Sequence, residues 1–276
     1  MNIITISRGS LSATEMLTRK ISDKLKCKVI TREDVIKAAE NYGIKDTGLG
    51  DISFIEKSPT IWDKMSDRKK HYLSCFQASL MDFALKGSFV YNGHLAQFLL
   101  EKIPFVLRVL LTAPDEFRIQ TLMKEKGGSR EEIKNYIKLI DERRKKWSLF
   151  LYGVEWKDSS HYDIVLNLEK ISIELASEVL AKIASAKQFQ SNSESLKTIR
   201  DLHLAATARV YLQQSPRTRG SEVEIEADSS SGLLTVHGST PKTGSRMWER
   251  DIKNVLSKID GVKDIKVIKS IIGYYE

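Results

Sequence analysis

Five short segments in the first two thirds of the chain are mostly apolar: IITIS, KVIT, SFVYN, VLRVLLTA and YDIVLNLE. β-Branched residues recur in them, and stretches with apolar residues at helical spacing separate one from the next. Strands buried on both faces read this way, so the alternation predicts a parallel five-stranded sheet with helices on both faces, an α/β fold. A ligand site in such a sheet lies beyond the carboxyl ends of its strands, where the first segment turns into a helix.

Two longer polar-apolar stretches interrupt the alternation. Between the second and third strands, Glu33 to Lys86 carries apolar residues at helical spacing in TREDVIKAAENYGI and HYLSCFQASLMDFAL, and builds either a substrate lobe or a set of packing helices. Between the fourth and fifth, GGSREE opens a helix with Ser129 and Glu132 at capping-box spacing, and the helix continues through Ile133, Ile137 and Ile140 into DERRKKW. The Ser-rich stretch SAKQFQSNSES reads as a linker. After it the period changes: a helix, two alternating strands (EVEIEAD, GLLTVHG), a helix and a last strand (VKDIKVIKSI) give a small α+β unit of order αββαβ.

Length agrees with two domains, 1–185 and 196–276, joined by a linker at 186–195 in a chain of 276 residues. The strongest apolar run, IPFVLRVLLTA, is interrupted by Arg108 and is far short of the roughly 20 residues that span a bilayer, which makes it a buried strand. With no secretory leader pattern ahead of the first strand, a cytoplasmic location is expected. Cys27 and Cys75 stand apart, without C-x-x-C or histidines at ligand spacing, so free, partly buried thiols and no structural metal are expected. The formal charge is +8 and the pI about 9.2. The excess is spread along the chain, which argues for a mildly basic solvated surface over a nucleic-acid groove.

The stretch IITISRGSLSATEML stands where a phosphate-binding loop, G-x-x-x-x-G-K-[ST], would stand. Only Gly9 fits. Thr14 takes the second glycine position, Glu15 the lysine position and Met16 the Ser/Thr position. A carboxylate 4 Å from a phosphate charge repels it by about 4 kcal/mol at an effective dielectric near 20. Arg8, just before the loop, either donates to phosphates in place of the lysine or makes a salt bridge at the strand end. Glu15 also has a plain structural use: it favours the helix macrodipole and can pair with Arg19 four residues on, its carboxylate standing at the anion site.

IITISRGS, VYNGHLAQFLL, the long LTAPDEFRIQTLMKEKGGSREEIKNYIKLIDERRKKWSLFLYG and YDIVLNLEKISIELASEVL resemble, in order and spacing, the cytidylate kinase-like family, P-loop relatives of the nucleoside monophosphate kinases, over residues 1 to about 185. The resemblance implies phosphoryl transfer from ATP, with magnesium, to a CMP-like monophosphate. It implies catalytic roles for Arg8, Asp141, Arg143 and Arg144, and places Gly9, Ser10, Ser12, Thr14 and Arg118 at the nucleotide. It puts Arg32, Asp34, Gly93 and His94 at the acceptor, His94 replacing the arginine of the family's Gly-Arg. Arginine suits such sites because it stays charged and binds phosphate oxygens with a two-pronged fork, which histidine lacks. For these arginines the other readings are a surface pair of Arg32 with Asp34 and a solvated basic face running from Arg143 and Arg144 to Lys145 and Lys146. The αββαβ segment, with GLLTVHGS and the Gly261-Val262 turn, resembles a BON domain, a small module linked to lipid or ligand association. Three functions remain open: a working kinase, a kinase-fold sensor of a nucleotide or anion, and a structural protein acting through a partner or self-association of its C-terminal domain.

Overall fold

A computed structural model describes residues 1–8, 13–43, 67–93, 95–239 and 245–270. These residues divide into two compact units. Residues 1–8, 13–35, 86–93 and 95–192 make the first; 36–43, 67–85, 193–239 and 245–270 make the second.

The first unit is built on β1 (Ile3–Arg8), β2 (Lys28–Thr31), β3 (Phe89–Asn92), β4 (Val106–Thr112) and β5 (Ile164–Asn167). All neighbours are parallel, in the order β2-β3-β1-β4-β5. The five apolar segments are therefore the five strands. β1, at the centre, is buried on both faces, with Ile3, Ile4, Thr5, Ile6 and Ser7 all sequestered. Such a strand needs helices above and below, and its near-continuous apolar sequence reflects that.

Helices α1 (Ala13–Leu25) and α7 (Ile173–Ala184) cover one face. Their core contributions fall at i, i+4 and i+8: Leu17 and Ile21 from α1, and Ala176, Leu180 and Ala184 from α7, packed on Ile4, Ile6, Val109 and Leu166. Each fully buried Leu or Ile there contributes about 1.5–3 kcal/mol. α7 starts at Ser172, whose hydroxyl accepts from the Leu175 N–H. Between β4 and β5 runs a helical hairpin of α5 (Asp115–Lys126) and α6 (Arg130–Tyr152), closed by Ile119, Leu122, Ile133 and Ile137. The expected capping box is formed: Ser129 accepts from the Glu132 N–H at 3.3 Å and its own N–H donates to the Glu132 carboxylate at 2.8 Å.

The stretch expected as a linker is held down. It carries a 3₁₀ turn at Lys187–Phe189, the Ser191 N–H donates to the Met1 carbonyl, and the Gln190 amide donates to the Ala184 carbonyl.

The second unit has the αββαβ order read from the sequence: α8 (Ser193–Gln214), β6 (Val223–Asp228), β7 (Leu233–Ser239), α9 (Ser245–Leu256) and β8 (Asp264–Ser270). β6 and β7 form an antiparallel hairpin, and β8 returns parallel to β7. Ala205, Ala208 and Leu212 of α8 and Ile252 and Leu256 of α9 close on Ile225, Leu234 and Val236. The hairpin turns through Gly232 at φ 76°, and a Cβ there would stand 2.5 Å from the Gly261 carbonyl oxygen, so only glycine fits.

To this unit belong also the end of α2 (Arg32–Ala39), a 3₁₀ turn at Glu40–Tyr42 and α3 (Asp67–Lys86), which the sequence reading kept with the first domain. One polar node ties them in. The Tyr42 hydroxyl donates to Asp82 at 2.9 Å, and His203 of α8 reaches Asp82 at 2.8 Å and the Tyr42 hydroxyl at 3.1 Å. Gln214 donates to the Tyr42 carbonyl at 2.6 Å, and Arg209 to Gln77 at 3.4 Å. Cys27 is half-buried and Cys75 buried, and both are free thiols.

Candidate functional site

Parallel register brings the carboxyl ends of the first unit's strands to one edge. Thr31 pairs with Asn92, Asn92 with Ile6, Arg8 with Leu111 and Thr112 with Asn167. The segments that follow β1, β2, β3 and β4 therefore leave from a common edge, where a parallel α/β sheet places its ligand.

On the β2 side, Arg32 opens α2. Its Nε and Nη2 are shielded from solvent and have no hydrogen-bond partner among the described residues. Two shielded, unpaired donors on a half-buried guanidinium carry a free-energy cost that the oxygens of an anion would remove. The surface pair of Arg32 with Asp34 does not form. Asp34 instead accepts from the Thr31 N–H at 2.8 Å and the Thr31 hydroxyl at 2.9 Å, while Thr31 Oγ1 accepts from the Asp34 N–H at 3.2 Å. This is a capping box on α2, legible in TRED once the helix start is known. Gly93 follows β3, and its Cα lies so close to the Tyr91 ring that a Cβ would clash with the ring and its hydroxyl. His94 lies outside the described residues.

On the β1 side, Gly9, Ser10 and Ser12 lie outside the described residues. Arg8 ends β1. Thr14 is fully buried in the first turn of α1, whereas Glu15 is exposed and Met16 is 58% exposed. Among the described residues Glu15 makes no ion pair with Arg19. Because Glu15 is solvated, its repulsion of a phosphate at 4 Å falls below the buried-site figure, toward about 1 kcal/mol in water-like surroundings. Met16, in the position that would hold magnesium, offers a thioether, a poor ligand for a hard cation. The described residues here do not fit a protein-held magnesium.

Beyond β4 the helical hairpin gathers charge. Arg118 is buried and forks onto Asp141, Nη1 to Oδ2 and Nη2 to Oδ1, both at 2.9 Å, with a further bond to Asp115 at 3.1 Å. Lys157 adds a bond to Asp141 at 2.8 Å. Burial pushes the Asp141 carboxyl up, but the Arg118 and Lys157 hydrogen bonds outweigh it and hold the group below its ordinary range. Arg143 and Arg144 are half-buried on α6. Arg144 stacks over the Trp156 ring at 5.8 Å and Lys157 over the same ring at 5.2 Å. Lys145 and Lys146, which follow them, are exposed, with Lys145 paired to Glu155 at 3.1 Å.

A buried polar chain that no motif announced runs beneath these groups. Ser7 Oγ donates to Gln97 Oε1 at 2.7 Å, Gln97 Nε2 donates to the Tyr162 hydroxyl at 2.9 Å, and that hydroxyl donates to the Trp156 carbonyl at 2.6 Å. Gln97 sits in α4 (Ala96–Leu99), four residues past Gly93. Burial pushes the Tyr162 phenol up to about 12, against the opposing effects of the Ser7 hydroxyl and the Arg144 charge. The sequence signal was one amide inside the apolar run LAQFLL.

The model of the cytidylate kinase-like family matches residues 3–170. The chain is 27% identical over 188 residues to the cytidylate kinase of Pyrococcus horikoshii, covering 62% of this chain and 82% of that protein. It is 30% identical over 91 residues to the cytidylate kinase of Staphylothermus marinus, covering 33% of this chain and 51% of that one. Among solved structures, an uncharacterized protein from Eubacterium ventriosum is similar with a TM-score of 0.47 and 20% identity, over 66% of this chain and 97% of that one. Among the described residues, no helix is long and apolar enough to cross a membrane.

Proposed function

The chain belongs to the cytidylate kinase-like family, and from that premise we propose that it binds a nucleoside monophosphate through Arg32 at the carboxyl edge of its parallel sheet and phosphorylates it from ATP. The observation that carries this reading is the half-buried Arg32 side chain, two of whose donors, Nε and Nη2, are shielded from solvent and meet no acceptor among the described residues. A monophosphate supplies the missing acceptors, and a charge-assisted hydrogen bond contributes about 1.5–3 kcal/mol. Gly93 belongs to the acceptor side, and the family resemblance adds His94 as a hydrogen-bond donor. Arg8, Arg143 and Arg144 take the donor phosphates and the charge that develops in transfer, with Arg118 and Asp141 holding α6 in register beneath them. Gly9, Ser10, Ser12 and Thr14 are assigned to the ATP side by the family resemblance alone, and Asp34 fixes the start of α2, and with it Arg32, by capping. Magnesium would arrive held by the nucleotide's own phosphates.

A second reading follows from Glu15 and Met16. With an exposed carboxylate at the lysine position, the chain is a nucleotide sensor that binds the monophosphate and turns over slowly or not at all. The αββαβ unit is proposed as a BON-like module through which a ligand, partner or second copy is engaged; its element order supports this.

Calorimetric titration separates the readings. CMP binding by the unsubstituted chain, weakened at least about tenfold in Arg32→Met, supports the acceptor site; no CMP binding, or equal binding in the variant, refutes it. Mg-ATP binding with ADP release in the presence of CMP supports the kinase. Mg-ATP binding only in Glu15→Lys supports the sensor.

A further inference from the structure

Gln97 is only 1% exposed, and both ends of its amide are engaged. The direction of each bond is set by its neighbours. Tyr162 has a single hydroxyl proton, which goes to the Trp156 carbonyl, so it must accept from Gln97 Nε2; Gln97 Oε1 is then left to accept from Ser7. This short relay joins three segments far apart in sequence: the end of β1 that leads into the loop, the turn after Gly93, and the stretch carrying Trp156. Trp156 in turn carries Arg144 and Lys157 on its ring, and Lys157 holds Asp141 and through it Arg118.

We propose that Gln97 is a positioning residue that couples the carboxyl end of β1 at Ser7 to the Trp156 platform, so that this strand end and Arg144 of α6 keep a fixed spacing when a nucleotide's phosphates bind. The inference deepens the proposed function and rests on it for the identity of the ligand. The physical case is that a buried amide satisfied at both ends tolerates little displacement of any partner, because moving one strands a donor or acceptor away from water. Packing alone would not require a polar group here: a methionine fills the same volume.

The test uses the full chain and the variants Gln97→Met, Tyr162→Phe and the double variant. Amide hydrogen exchange is read over residues 3–8, 28–31 and 153–162, and Mg-ATP binding by calorimetry. Each single variant is expected to speed exchange in 3–8 and 153–162 together and to weaken Mg-ATP about tenfold, the loss of one buried hydrogen bond. The double variant adds little further, because the relay is broken once. Residues 28–31 stay unchanged. Exchange rising in only one of the two segments, or in neither, overturns the coupling. Both segments loosening with Mg-ATP affinity intact overturns the positioning role. Failure of the unsubstituted chain to bind Mg-ATP refutes the ATP half of the proposed function instead, and the coupling then stands or falls on exchange alone. Should Gln97→Met not fold, Tyr162→Phe, which removes one oxygen, carries the same comparison.

Discussion

Replacing Asp141 with asparagine tests the charge arrangement of the helical hairpin. Three donors converge on this carboxylate: two from Arg118 and one from Lys157. The side chains of Arg118 and Asp141 are 5% and 15% exposed, so water replaces little of what is lost. An asparagine can accept one of the Arg118 bonds, but it turns an N–H₂ toward the other and removes the opposing charge. Arg118 is then left with Asp115, whose side chain is 80% exposed. Breaking one side of a buried pair costs about 3–5 kcal/mol; with the residual bonds counted, a loss of roughly 3 kcal/mol is expected. For a unit of this size that lowers Tm by roughly 6–12 °C.

The pH dependence has a definite sign. The folded carboxyl titrates below its ordinary value of 3.8, so the ion pair stabilises the fold above the unfolded value and is lost as pH falls through the folded one. Calorimetric melts at pH 7, 5 and 3 should show the gap between the two proteins steady from 7 to 5 and closing toward 3. Hydrogen exchange over 115–152 identifies the segment that loosens. A gap below about 1 kcal/mol at pH 7 would refute the reasoning, as would one that persists unchanged in acid. The paired exchange Arg118→Met with Asp141→Leu should recover most of the loss, since it leaves no charge buried.

Ser129→Ala removes the hydroxyl of the capping box and should cost about 1 kcal/mol, seen as faster exchange at the start of α6; no change would mean that Glu132 alone holds the helix end. Gly232→Ala should destabilise the αββαβ unit by about 2 kcal/mol or more, because φ 76° and the Gly261 carbonyl both oppose a Cβ; an unchanged melt of that unit would contradict the turn geometry. Thiol modification at pH 8 should label Cys27 before Cys75. Burial raises both groups, but it pushes the fully buried Cys75 up to about 12. A fast phase that survives in Cys27→Ser would reverse the assignment.

The parallel sheet was legible because its signal is local. Strands such as VLRVLLTA are apolar on both faces only if both faces are covered, and the capping box at Ser129 needs four consecutive residues. Motifs singled out Arg32 and Gly93 as candidates, but sequence does not separate the two uses that one residue type can serve. Arg118 and Asp141 look like ligands in sequence, yet in the fold they occupy one another. Asp34 looks like a partner for Arg32 and caps its helix instead. Gln97 gave only a lone polar letter in an apolar run, because its partners Ser7 and Tyr162 lie 90 and 65 residues away.

The second unit makes the same point about chain order. Its sheet and helices α8 and α9 follow from period and spacing within eighty residues, but its membership does not. Tyr42 and Asp82 meet His203 across 161 and 121 residues, over which no local pattern extends. A tyrosine, an aspartate and a histidine are individually unremarkable on half-exposed helices; together they satisfy one another where each alone would need water. Burial and Asp82 raise the Tyr42 phenol above its ordinary value, so it stays a donor at any physiological pH. The insert between β2 and β3 thus finds its hydrogen-bond partners in the C-terminal segment. A chain that has been made only through β5 has residues 36–43 and α3 without the helix that completes their polar node, so that node cannot close before α8 is made.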